Sequence, residues 1–495
     1  MIFLLIASLF SSTLLGYLVA TLFLPRYTPR WAESILKVSL GVGIGCGLTS
    51  CLYFLVRLIA GPSMAAYIPA ELLLLISAGM ACWRTRVRGA ISVSGASGSG
   101  QKTAGWLWLL PIAFVAALCI AITLFVDSSV SNPYGGWDAW AIWNLRAKFL
   151  AQPDASWRTA FAPVLNRLAG LGATHPDYPL LLSGYVARCW SLTHSIGDVA
   201  VPVATSALFS FGTLALLVSA LAILRGWSAA MLGGLILLGT AGFLLDSPWQ
   251  YSDLPLGFYF LAAFVLFFLA DAETSGVPLV LQGLAIGFAA WTKNEGLLFA
   301  LLAGIGFLAY LWLSKRTEWL KPLALLAVGA ALPLGVALYF KFFLAPPTGT
   351  YANVTVNDAA HRAIQTPRYS EILKSFWDET VALGSGIAHP AISLALLAGF
   401  MGIPRDRRRQ PVVIASTATL LAVFAGYFFT YVVTPLELTW HLGTSMGRLY
   451  MQLWPSVVFL SLAAFRTAEE TAIVIQHPQK AGRAARKKTK KAQVN

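Results

Sequence analysis

Apolar runs of about 20 residues, each long enough to span a bilayer, recur along nearly the whole 495-residue chain. The hydrocarbon core holds no water for unpaired backbone groups, so such runs must be helices that satisfy their own hydrogen bonds. Only 11% of residues are charged, where a soluble domain carries about a quarter. The expected fold class is therefore all-α, a polytopic membrane helix bundle. Candidate spans are 2–24, 36–59, 64–83, 105–126, 201–224, 228–246, 254–270, 277–292, 296–314, 322–344, 388–403, 411–433 and 449–465, about thirteen in all.

Charge then orients the bundle. Alternate loops fall into two sets. One carries 22 Lys/Arg against 7 Asp/Glu, the other 11 against 13 with Lys341 and Asp246 at the outer ends of their spans included, and Lys37, Arg57 and Glu71 within spans complete the totals. The positive-inside rule makes the first set cytoplasmic, with the N-terminus outside and the C-terminus inside. The formal net charge of +14 is thus an orientation signal plus a basic tail at 466–495, suited to anionic lipid rather than nucleic acid.

Several features are structural. The five cysteines, at 46, 51, 82, 119 and 189, have no metal-ligand spacing and read as small buried hydrophobes. Met1–Leu24 lacks a basic leader and its apolar run is long, so it reads as a first span rather than a signal peptide. Gly95–Thr103 has Gln101 where a phosphate loop needs lysine, and reads as a Gly/Ser linker. The sequon Asn353-Val-Thr355 lies in an outer loop.

Five polar clusters fall on the outer side. In Gly135-Gly-Trp-Asp-Ala-Trp-Ala-Ile-Trp-Asn144, Asp138 sits among three tryptophans. A carboxylate shielded by rings has a raised pKa and suits a general base; equally, it caps a helix within an interfacial aromatic belt. In a regular helix Trp140, Trp143 and Asn144 would share a face. Trp249-Gln-Tyr-Ser-Asp253 offers a second acid at a span start, a position that also suits an ordinary helix cap. Trp291-Thr-Lys-Asn-Glu295 places Lys293 and Glu295 in a short break between apolar runs, where a cation suits an anionic ligand such as phosphate. His441, Ser445 and Arg448 follow at i, i+4 and i+7 and could cradle an oxyanion. His175-Pro-Asp-Tyr-Pro179 reads as a turn in which His175 or Asp177 touches substrate. Glu71, the one clearly embedded acid, reads as lying near water at an outer helix end. The outer segments 127–200 and 346–390 are too short for a large separate domain, and the first, with its Trp, Pro and short apolar stretches, reads as interfacial helices.

On these residues the chain resembles the GT-C fold glycosyltransferases that use polyprenyl-phosphate sugars, of the protein O-mannosyltransferase and aminoarabinose transferase type. The resemblance covers roughly 105–465 and rests on GWDAWAIWN, HPDYPLLL, YSDLP, WTKNEG and WHLGTSMGR in that order. It implies a catalytic domain over 105–465, with 1–104 as an added three-helix module and linker, in a bacterial inner membrane. It implies Asp138 as the catalytic base, Lys293 as the donor-phosphate ligand, and Arg448 and His441 as phosphate or sugar contacts. Asp253, Glu295, His175, Asp177, Trp140 and Asn144 would bind substrate. The implied partners are a polyprenyl-phosphate-linked sugar donor, a glycan, lipid or protein acceptor, and membrane lipid, with no nucleic acid. A divalent cation, Mg or Mn, at Asp138 and Asp253 is compatible but not demanded by any His/Cys cluster. Asp138 stands alone where the mannosyltransferases carry an Asp-Glu pair, and Lys-Asn-Glu-Gly stands where relatives often have Lys-Gly. A transporter or flippase of a lipid-linked sugar would share the phosphate site without needing a base.

Overall fold

The computed structural model describes residues 2–85, 108–165, 174–273, 276–347, 354–383, 389–402 and 409–471. The Gly/Ser linker, Asn353 of the sequon and most of the basic tail lie outside the described residues. The described residues form helices and no strand. In chain order these are α1 (Ile2–Phe23), α2 (Arg30–Ala60), α3 (Met64–Arg84), α4 (Leu109–Ser131), α5 (Asn144–Leu150), α6 (Leu181–Thr193), α7 (Ala200–Arg225), α8 (Trp227–Leu238) and α9 (Ala241–Asp246). Then come α10 (Asp253–Ala272), α11 (Pro278–Thr292), α12 (Asn294–Leu313), α13 (Leu320–Tyr339), α14 (Val356–Ala363), α15 (Thr366–Ala382), α16 (Pro390–Met401), α17 (Gln410–Val433) and α18 (Leu438–Ala464). Two five-residue π-helical turns, Ala139–Trp143 and Phe340–Leu344, interrupt the pattern.

Within the described residues every expected span falls on helix, and fewer than thirteen of these helices are by themselves long and apolar enough to cross a membrane. Nine described helices are long and apolar enough, or ten if α8 with Ala241–Trp249 is counted as one span bent by 69°. That bend falls where the sequence reading had one span, 228–246. α11 has 15 residues and α16 has 12, short of the roughly 20 needed to cross. The expected span at 449–465 is the later part of the 27-residue α18, whose first turns are polar.

α10 is the axis of the bundle. Its whole apolar window is buried, and it packs against α7, α11 and α18. Gly257 lets α18 approach closely: a Cβ there would lie 3.1 Å from the carbonyl oxygens of Met451 and Gln452. α2 packs on α1, α6 and α7, which ties the first helices to the rest.

Three expectations about buried and exposed residues change. α6 is buried along most of its length rather than lying at an interface. It carries Arg188, fully buried, which donates to Glu71 from Nε at 3.1 Å and forms a salt bridge to it through Nη2. Glu71 is therefore a buried counter-ion and not a group near water; a charge at that depth persists because it is paired. Of the cysteines, Cys46, Cys51 and Cys189 are buried, but Cys82 is half-buried and Cys119 is exposed on α4, a helix with few buried residues.

Candidate functional site

The five polar clusters, spread over more than 300 residues of sequence, meet at one end of the bundle. Each is presented by a helix end with a local reason for its place. α18 starts at Leu438 because the Glu437 carboxylate accepts from the backbone amides of Thr439 and Trp440, a side-chain cap. Arg448 is then carried inward on the third turn. α10 starts with Asp253 in its first turn, where a carboxylate is favoured by the helix dipole. Lys293 sits in extended backbone between α11 and α12, and Gly296 makes that turn tight. A Cβ at Gly296 would lie 1.8 Å from the Ala289 carbonyl oxygen.

Asp138 is docked from the other side. Gly136 N donates to the Trp249 carbonyl at 3.1 Å, and Gly135 adopts φ +73°, a conformation glycine accepts without strain. Asp138 forms a salt bridge to Arg448, which donates to it from Nη1. The Arg448 guanidinium carbon also lies 5.3 Å from the centre of the Tyr251 ring. The three tryptophans expected to shield Asp138 diverge. Trp137 and Trp140 pack edge to face with each other and are over a third exposed. Trp143 is 1% exposed and stacks on Tyr178. Trp140 and Trp143 do not share a face, because 139–143 is π-helical and its i→i+5 bonding shifts residues three apart away from each other.

The second ion pair lies deeper. Lys293 Nζ is 2.9 Å from Asp253 Oδ1 and 2.9 Å from Glu295 Oε1. Gln452 Nε2 donates to the same Asp253 oxygen at 2.6 Å, and Tyr427 OH donates to Gln452 Oε1. Asp253 is 1% exposed and Lys293 5%. Burial opposes the Lys293 charge, but Asp253 and then Glu295 outweigh it, and the ammonium pKa stands above its ordinary value. Lys293 therefore already has two carboxylate partners, whereas Arg448 has one, Asp138.

The His175 turn forms as expected, with Tyr178 N donating to His175 O at 3.0 Å. His175 itself holds φ +45°, uncommon for a residue with a side chain. Its ring stacks on Tyr178 at 4.6 Å between centres and 8° between planes. Burial keeps its pKa below the ordinary value, against the pull of Asp177 and Asp138. Asp177 accepts from Asn294 Nδ2 at 3.0 Å, and Lys341 Nζ donates to the Asp177 carbonyl and to Asn294 Oδ1, each at 3.0 Å. His441 faces Tyr431, whose hydroxyl lies 2.6 Å from Ser445 Oγ. Burial, then Arg448, lowers the His441 pKa to about 4.

Asn144 and Trp140 stand apart from these ion pairs. Asn144 donates to Gln250 Oε1 at 3.0 Å. Both residues line a groove with Tyr134, Lys148 and Gln250, which neither Asp138 nor Lys293 borders.

Sequence reading passed over Lys341, Asn294, Gln452 and Arg146. Lys341 and Gln452 were visible as lone polar residues within apolar runs, a signal in itself. Arg146 is fully buried and donates to the carbonyls of Ala160, Pro176, Tyr178 and Pro179, so it fixes the His175 turn. Nothing in its local pattern announced that.

For a divalent ion the donor set is poor. Asp138 and Asp253 each face a cation that would repel it, and among the described residues no three His, Cys, Asp or Glu side chains converge on one point. No family model, no curated protein and no solved structure matches the chain.

Proposed function

We propose that this is a membrane glycosyltransferase that moves a sugar from a polyprenyl-phosphate donor to an acceptor hydroxyl, with inversion, on the outer face of a bacterial inner membrane. The observation that carries the reading is the meeting of the Asp138–Arg448 pair with the Asp253–Lys293–Glu295 group at one end of an apolar bundle. A carboxylate that can take a proton lies beside a cation that can receive an anionic leaving group. Chain topology and loop charge support the outer face.

In this mechanism the lipid tail stays in the bilayer and the donor phosphate faces Arg448. Lys293 contributes as the centre of a carboxylate-flanked group, so Arg448 takes the larger share. The acceptor hydroxyl gives its proton to Asp138 as its oxygen bonds to the anomeric carbon. The bond from that carbon to the phosphate oxygen breaks on the opposite side, which inverts the centre. The polyprenyl phosphate departs as an anion, and what it needs is charge stabilisation rather than a proton.

The test compares surface glycans, lipids and proteins by mass spectrometry in cells with and without the gene. One sugar should be missing without it. Asp138→Asn should fail to restore that sugar, with turnover lower by roughly 10²–10⁴-fold, while still binding the donor. Full restoration by Asp138→Asn would point instead to a flippase, which needs no base.

A further inference from the structure

Three carboxylates at the site share one pattern. Asp253 uses Oδ1 to accept from Lys293 and Gln452, and its Oδ2 is buried without a partner. Glu295 pairs with Lys293 through Oε1, and its Oε2 is buried without a partner. Asp177 accepts from Asn294 through Oδ2, and its Oδ1 is buried without a partner. The three consecutive residues Lys293, Asn294 and Glu295 organise all of this. Lys293 holds Asp253, Asn294 holds Asp177, and Glu295 is the third acid.

A buried carboxylate oxygen lacking a donor is costly, and native proteins tolerate few of them. Three around one turn, on residues whose other oxygens are well bound, mark a surface built to accept hydrogen bonds. A phosphate cannot satisfy it, since phosphate oxygens also accept and carry like charge. Lys293 on Asp253 and Glu295, and Lys341 at 3.6 Å from Asp177, already offset most of the acids' charge, so what the free oxygens lack is donors. Neutral hydroxyl donors fit. Next to these acids lies a stack of flat rings, His175 on Tyr178 on Trp143, with Lys293 Nζ 5.9 Å from the Tyr178 ring centre. A pyranose or furanose pairs hydroxyl donors on its rim with an apolar face that packs on such a ring.

We infer that Asp253, Glu295 and Asp177, set around the Lys293–Glu295 turn, form a subsite that reads the hydroxyl groups of a neutral sugar, with Lys293 as its positioning residue. This deepens the glycosyltransferase reading and rests on it: the phosphate falls to Arg448 and the sugar ring to the three acids.

The experiment measures binding of two probes to the full chain in lipid nanodiscs. One is bare undecaprenyl phosphate. The other is a panel of undecaprenyl-phosphate hexoses and pentoses. Wild type should bind at least one member of the panel more tightly than the bare lipid. Glu295→Gln, at the most accessible of the acids, should weaken that member 10-fold or more and leave the bare lipid within twofold. Asp177→Asn should behave alike, which guards against one variant failing to fold. Equal losses for both probes, or no loss for the glycosylated one, would overturn the subsite while leaving the transferase reading standing. If wild type binds no polyprenyl phosphate of either kind, the transferase reading falls and the subsite falls with it.

Discussion

Replacing Glu71 by glutamine should destabilise the protein severely, although Glu71 lies away from the proposed chemistry. The Arg188 guanidinium is fully buried between α1, α3 and α6, and spends its donors locally. Nε reaches Tyr67 OH at 2.7 Å and Glu71 at 3.1 Å, Nη1 reaches the Ser8 carbonyl at 2.9 Å, and Nη2 reaches Ser11 at 2.8 Å and Glu71. The amide introduced by Glu71→Gln could keep one hydrogen bond but would leave the cation without a counter-charge. Removing one partner of a buried pair costs about 3–5 kcal/mol. Replacing both by apolar residues of similar size removes the charge altogether and is often neutral or stabilising, by about 1–4 kcal/mol. Polar contacts between membrane helices often measure nearer 0.6 kcal/mol, so the two accounts differ several-fold in size. The assay is reversible SDS unfolding in mixed micelles of wild type, Glu71→Gln, Arg188→Met and the double variant Glu71→Leu/Arg188→Met. Both single variants should lose about 3 kcal/mol or more, and the double variant should recover most of it. A loss under about 1 kcal/mol for Glu71→Gln, or a double variant less stable than either single one, would refute the paired-charge argument.

Other tests follow from the same geometry. His441 has its pKa lowered to about 4 in the folded protein, against an ordinary value near 6.5. The unfolded chain therefore binds a proton that the folded one refuses between those values, so this contribution to stability is present above about pH 6.5 and is lost as the pH falls toward 4. Unfolding titrations at stepped pH should show that slope, and His441→Gln should flatten it. Gly296→Ala should impair folding and reduce activity at least 10-fold, because its Cβ would meet the Ala289 carbonyl at 1.8 Å and force open the turn that carries Lys293; activity per folded molecule is the measurement. Arg146→Met leaves the carbonyls at 160, 176, 178 and 179 without their donor, and should cost at least about 4 kcal/mol, at about 1–3 kcal/mol for each of the four orphaned groups. Limited proteolysis near His175 should accelerate in that variant.

Much of the fold was legible because it depends on local, repetitive properties. Apolar length dictates helix in a bilayer whatever the neighbours are. The polar clusters were legible for a related reason: charge is costly beside hydrocarbon, so each island of it stands out. Whether an apolar helix crosses, bends or stops short was less legible, as the 69° break after α8 illustrates, because neighbours decide what a short helix packs against.

Partnership was not legible at all. Nothing local says that Asp138 meets Arg448, 310 residues away, or that Lys293 lies between Asp253 and Glu295. Nor could spacing reveal that Trp143 turns inward while Trp140 turns out, since that follows from a π-helical turn the pattern did not announce. By itself the sequence determined that this chain is a bundle of apolar helices, with most of its charge in the loops, breaks and ends and a few charges inside the helices. Only the tertiary structure decided which charges neutralise one another and which carboxylate oxygens stay unpaired, because electrostatic pairing depends on distances that packing sets and periodicity does not encode.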